Sequence, residues 1–317
     1  MILFLHYWSL FGRSEFFLRL PFVIAGTLFC WVMFLWIRKV AGKAAGCFGS
    51  AMFLFAPSLI SVTAEIRQYS FLLLFCSCCL YWLQRALQND NQNSVRCILL
   101  SAAALYLALL SHYSAMIFAV AAGIYGLLSF GHKKWTVRQT GAWVLGQVGA
   151  LAICVFLYES QISKLRASGM PSEIAATWLS SSIFQPGKNH LTSFAWSNTV
   201  RLFRYFFSQG TVGVIGLALF AFALIVLFLP NKNREPKPQT RELPALLATP
   251  FLITILLAIV AVYPYGGTRH DAVLTIFSLS GIAIALDRLP LGPGATALLL
   301  KAALLALAMC MCNFYPS

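Results

Sequence analysis

Glu65, Arg67 and Tyr69 alternate along Ala64-Glu65-Ile66-Arg67-Gln68-Tyr69. In an extended turn this spacing puts a carboxylate, a guanidinium fork and a phenol on one side of the backbone. A guanidinium at a membrane surface pairs bidentately with a phosphate, and a carboxylate beside it serves as a base or a metal ligand. The plainer reading is an interfacial salt bridge next to a Tyr of the aromatic belt. A second cluster is Tyr263-Pro-Tyr-Gly-Gly-Thr-Arg269-His270-Asp271. Its two glycines let backbone approach a ligand closely, and Arg269 again suits a phosphate. His270 and Asp271 can ligate a divalent ion or orient one another, although Asp271 equally suits the N-cap of a following helix. His112, in Ser111-His112-Tyr113-Ser114, is a substrate ligand or one half of a packed His–Tyr pair. Arg19, in Leu18-Arg19-Leu20-Pro21, reaches a phosphate or simply snorkels to the interface.

These residues lie at the ends of long apolar runs. Of 317 residues, 60% are hydrophobic and 10% charged, against about a quarter charged in ordinary soluble domains, and the mean hydropathy is +0.78. A soluble globular enzyme is excluded. The expected fold is all-α and polytopic, with about ten transmembrane helices. Spans are predicted at residues 17–37, 44–62, 69–87, 97–110, 113–130 and 142–158, then at 212–229, 246–263, 272–286 and 295–312. The whole chain, 1–317, is one transmembrane domain in this reading. Residues 1–16 form an interfacial segment, 17–158 hold six spans, 159–210 an outer amphipathic segment and 211–317 four spans.

The charge balance of 23 Lys and Arg against 9 Asp and Glu reflects the positive-inside rule rather than a nucleic-acid partner. Loops carrying Arg38, Lys39, Lys43, Arg85, Lys133 and Lys134, and the polar connector 231–241, hold most of the basic residues and are assigned to the cytoplasm. The loops at Glu65, His112, 159–210 and 263–271 then face outward, with the amino terminus. The nine cysteines fall in or beside apolar runs, so the CxxC spacing of Cys76 and Cys79 reads as packing rather than a redox or zinc site. Mid-span ionisable residues, the mark of proton-coupled transport, are nearly absent. The segment 159–210 mixes Lys164, Arg166 and Glu173 with Trp178, Trp196 and Tyr205, which suits pieces lying on the bilayer and closing a groove. No nucleotide-binding glycine motif, nucleophile elbow or zinc signature is present, so no nucleotide cofactor is expected.

The order of motifs resembles a known family. Trp8-Ser-Leu-Phe-Gly12-Arg-Ser-Glu15-Phe-Phe-Leu-Arg19-Leu-Pro21, a span, a basic turn, Ala44-Ala-Gly46, Ala56-Pro57-Ser58 and Glu65-Ile-Arg67-Gln-Tyr69 are similar to polyprenyl-phosphate-sugar-dependent glycosyltransferases of the GT-C class. These are the protein O-mannosyltransferase-like and aminoarabinose-transferase-like enzymes. The resemblance covers about the first 130 residues, through His112-Tyr113, and returns at Tyr263 to Asp271. It implies inverting transfer of one sugar from a polyprenyl-phosphate donor to an acceptor hydroxyl on a glycan, lipid or protein, at the outer face of a bacterial inner membrane. It also implies help from a divalent metal. On that basis Arg67, Tyr69, Arg269, Arg19 and His112 are donor-phosphate or substrate ligands, and Glu65, His270 and Asp271 are the metal candidates.

In this family the principal catalytic acid sits in a first outer loop, upstream of the segment matching Leu5 to Pro21. Neither that loop nor the span before it is in the chain. The expectation is an amino-terminally incomplete chain or a remnant without activity; Glu65 and Glu15 are the nearby outer acids available as substitutes, and Glu65 better suits a metal or acceptor ligand. Competing readings are a lipid-linked glycan ligase or polymerase, a transporter or flippase for a lipid-linked sugar, and a non-catalytic partner subunit. A transporter would favour an inverted repeat with paired broken helices, and none is found in the sequence.

Overall fold

A computed structural model describes residues 2–88, 93–130, 135–169, 177–188, 190–229, 242–291 and 294–312, and within these the chain is helical without strands. The first elements are α1 (Ile2–Trp8), α2 (Glu15–Ala41), α3 (Lys43–Phe55), α4 (Pro57–Ala64), α5 (Tyr69–Gln88), α6 (Asn93–Ser111), α7 (Ala115–Phe130) and α8 (Val137–Leu157). A short α9 (Ser163–Ala167) is followed by α10 (Leu191–Phe207), α11 (Gly210–Phe228), α12 (Leu243–Ile259), α13 (Ala272–Arg288) and α14 (Ala295–Cys310). The expected connector 231–241 and Glu173 lie outside the described residues.

Local chemistry explains where the elements begin and break. Ser14 caps α2 by accepting from the Phe17 amide at 3.2 Å, while Glu15 in the first turn and Arg38 and Lys39 in the last complement the helix dipole. Gly42, at φ 112°, ends α2 and starts α3. Ala56 is held extended by the proline after it, so the run expected as one span at 44–62 is two helices bent by 57°. That break turns α4 toward α10, where the Ser58 hydroxyl donates to the Phe206 carbonyl at 3.0 Å.

Among the described residues, six helices are long and apolar enough to cross a membrane, and the bent α3–α4 pair makes a seventh. Shorter apolar helices at Ala115–Ser129, Leu243–Ile259 and Ala295–Cys310 account for the other expected runs. The chain is a multi-pass helical membrane protein. Helix α13 is its axis: every residue from Ala272 to Leu286 is buried, as a helix apolar on all sides must be. It packs against α11, α3 and α12, and Gly281 admits the Phe220 ring where a Cβ would collide with it. Lys301 on α14, 7% exposed, donates to the Asp287 carbonyl at 2.7 Å, placing its charge at the end of α13 where the dipole is negative.

The amino-terminal segment packs onto this bundle. Trp8 stacks on Phe17 with centroids 4.8 Å apart and donates its indole N–H to the Phe17 carbonyl at 2.9 Å. Cys76 and Cys79 are free and buried, and the Cys79 sulfur contacts the Ser101 hydroxyl at 3.3 Å, as packing residues do. In the outer segment, α10 buries Phe194, Asn198, Leu202, Phe203, Phe206 and Phe207 along one side and exposes Leu191 and Trp196. It is therefore amphipathic.

Candidate active site

Three segments far apart in sequence meet around the amino-terminal end of α13. They are the loop joining α4 to α5, the turn joining α6 to α7, and the stretch from Tyr263 into α13. A run of rings joins them. Tyr69 lies 5.1 Å from His112, His112 stacks on Tyr113 at 4.1 Å, Tyr113 meets Tyr263 at 6.0 Å and Tyr263 meets His270 at 6.4 Å. The Tyr263 hydroxyl donates to the His270 carbonyl at 2.7 Å. Arg67 and Arg269, from two of these segments, are both within electrostatic range of Tyr69 and of His270.

The turn before α13 is built by Asp271. Its Oδ2 accepts from the Gly266 amide at 3.2 Å, the Thr268 amide at 3.3 Å and the Thr268 hydroxyl at 3.3 Å. Asp271 makes no side-chain cap on α13, so its expected capping role is corrected: it organises the residues before it. Gly266 and Gly267 have φ of 127° and 75°, and a Cβ on either would run into Asn198 or Arg201 of α10. Close approach of the turn to α10 is what both glycines permit. Arg269 is exposed, and among the described residues no hydrogen bond or ion pair engages its guanidinium. Asp271 Oδ1, His270 Nδ1 and Asn198 Oδ1 are buried around this turn without hydrogen-bond partners, a hydrogen-bonding capacity that a bound molecule or water would satisfy.

Glu65 and Arg67 pair with each other at 2.8 Å, each side chain about two-fifths exposed, so the bond is weak enough for Arg67 to exchange partners. Arg19 is used differently from the phosphate role expected of it. One of its nitrogens donates to the Ala64 carbonyl at 3.1 Å and another pairs with Glu15 at 2.6 Å, so it braces the loop that carries Glu65 and Arg67. His112 is 6% exposed, and its Nδ1 accepts from the Ser114 amide at 3.1 Å and meets the Ser114 hydroxyl at 2.7 Å. Burial, with the neighbouring His270 second, holds its pKa down to about 4. At neutral pH it is an uncharged ring with its proton on Nε2.

The metal set expected from Glu65, His270 and Asp271 does not assemble. Among the described residues no three His, Cys, Asp or Glu side chains come together to hold an ion. Asp271 turns its Oδ2 toward its own turn, and Glu65 sits on a separate loop beside Arg67. Tyr205 on α10, grouped at first only with the outer amphipathic residues, also belongs to the site. Burial is the main cause that pushes its phenol up to about 12, with Asp271, Tyr69 and Glu65 adding and Arg269 opposing. Its clue in the sequence is slight: one aromatic among many in a segment with no motif.

Residues 4–158 match the family described as dolichyl-phosphate-mannose-protein mannosyltransferase. No curated protein sequence matches the chain. Among solved structures, ArnT from Cupriavidus metallidurans bound to undecaprenyl phosphate is similar with a TM-score of 0.58 and 18% identity, over 95% of this chain and 50% of that one. Apo ArnT gives 0.55 at 19% identity, over 89% and 47%. The apo oligosaccharyltransferase of Archaeoglobus fulgidus gives 0.56 at 12% identity, over 100% and 48%. The chain thus spans about half the length of the solved structures it matches. The family match thus covers just under half of the chain, at its amino-terminal end, and the solved structures share its helical fold.

Proposed function

We propose that this chain carries the donor site of a membrane glycosyltransferase that takes a sugar from a polyprenyl-phosphate carrier and passes it to an acceptor hydroxyl at the outer membrane face. The single observation behind this reading is that Arg67 and Arg269, some two hundred positions apart in sequence, act on the same Tyr69 and His270. Two guanidiniums within electrostatic range of the same rings suit the charge that gathers on a phosphate as the sugar–oxygen bond breaks. In this reaction the acceptor oxygen bonds to the anomeric carbon, the bond from that carbon to the phosphate oxygen breaks, and the acceptor proton passes to a base. Glu65, partly exposed beside Arg67, is the carboxylate at hand to orient the acceptor. The outward orientation follows from the basic loops at the opposite helix ends.

A divalent ion, as the family resemblance implies, would add a Lewis acid at the leaving phosphate. The residues as placed do not close around one, and the reading assigns no step to it. The test is equilibrium binding of undecaprenyl phosphate to the chain in nanodiscs. Replacing Arg67 or Arg269 with Lys keeps the charge and loses the planar fork, so each variant should bind about tenfold more weakly, roughly the 1.4 kcal/mol of one charge-assisted hydrogen bond. Unchanged affinity in both variants would remove the assignment.

A further inference from the structure

Tyr113 differs from the rings around it. Tyr69, His112 and Tyr263 are 3%, 6% and 6% exposed, whereas Tyr113 is 42% exposed. One face is stacked on His112 at 4.1 Å and 28°, and its neighbour Tyr263 meets it edge to face at 75°. His112 is itself fixed through Nδ1 by both polar groups of Ser114, so the ring rests on a rigid support. The same His112 ring meets Tyr69 at 5.1 Å and Tyr113 at 4.1 Å, which ties Tyr113 to the loop that carries Glu65 and Arg67. A ring two-fifths exposed and backed by an imidazole that Ser114 holds in place is a preorganised surface.

We propose that Tyr113 is the platform on which the donor's sugar ring stacks, and hence a residue that sets sugar specificity. The inference rests on the polyprenyl-phosphate reading above. A pyranose presents a face of C–H groups, apolar and slightly positive, that complements the negative face of an aromatic ring. The sugar is joined directly to the phosphate, so a phosphate held by Arg67 and Arg269 delivers it beside Tyr69 and onto Tyr113. The arginines then recognise the part common to every donor of this class, and Tyr113 the part that varies.

The experiment measures binding of undecaprenyl phosphate and of its mannose, glucose and aminoarabinose conjugates to the full chain in nanodiscs. Wild type should bind at least one conjugate more tightly than the bare phosphate. Tyr113→Leu should cancel that gain, a loss of about tenfold, and leave the bare phosphate unaffected, while Tyr113→Phe, which keeps the ring, should retain the gain. Equal weakening of all ligands by Tyr113→Leu would mark a structural role and overturn the platform, as would a retained sugar gain. Wild type that binds bare phosphate and gains nothing from any of the sugars overturns the platform alone. Wild type that binds neither phosphate nor conjugates overturns the donor reading, and the platform with it.

Discussion

His112 lies between the rings of Tyr69 and Tyr113, and burial keeps it uncharged. An imidazole in an unfolded chain titrates near 6.5, whereas burial holds this one at about 4. As pH falls, the unfolded chain therefore takes up the proton first. The stability contributed by the neutral ring is complete above about pH 6.5 and lost as pH falls through about 4. Thermal unfolding in detergent should show a Tm that declines across this window, and a flatter profile in His112→Gln, which keeps a polar side chain and does not titrate. Parallel profiles would mean that His112 titrates alike in both states. Arg19 makes a second residue-level case. Because it serves as a donor to the Ala64 carbonyl, Arg19→Ala should weaken undecaprenyl phosphate binding by about fivefold, the worth of one hydrogen bond. Arg19→Lys should restore it. That rescue separates a brace from the proposed phosphate ligands Arg67 and Arg269, where Lys is expected to fail.

At the scale of elements, the site depends on how helices stop. Proline at position 57 splits a run that composition alone would carry straight through the bilayer, and the 57° bend lets α4 reach α10 through Ser58. The loop after α4 then ends against Arg19 rather than continuing as helix. On the other side, the turn before α13 is closed by Asp271 with three hydrogen bonds and pressed onto α10 by two glycines. α10 is thus the common abutment of both arginine-bearing segments, which explains why Tyr205 on it is within reach of Glu65 and Arg269 together. An amphipathic segment with no motif of its own is what holds the two halves of the site in register.

At the scale of the molecule, α13 is the buried axis, and its first turn is the floor of the site. Convergence of the loop at Glu65 with the turn at His270 is a property of the whole bundle and can be measured as such. In the double variant Glu65→Cys, His270→Cys, short bifunctional thiol reagents should crosslink the pair in the membrane, while Lys39→Cys paired with His270→Cys should not react. Failure of the first pair to crosslink with any reagent of side-chain reach would break the shared site.

Much of this was legible in the sequence, for reasons that are local. Runs of about twenty apolar residues must bury in lipid with their backbone bonded internally, so the helices and their breaks at the charged loops follow from composition, whereas the bend at Pro57 inside the run 44–62 does not. Glu65, Arg67, Arg269 and His112 could be picked out because polar groups at span ends are conspicuous against such a background. What those groups do was decided only by tertiary structure. Whether Arg19 meets a phosphate or a carbonyl, whether Asp271 faces its own turn or an ion, and whether His112 carries a charge all depend on partners brought in from dozens to hundreds of positions away. Desolvation and hydrogen bonding are set by those partners, and a linear pattern carries no record of them.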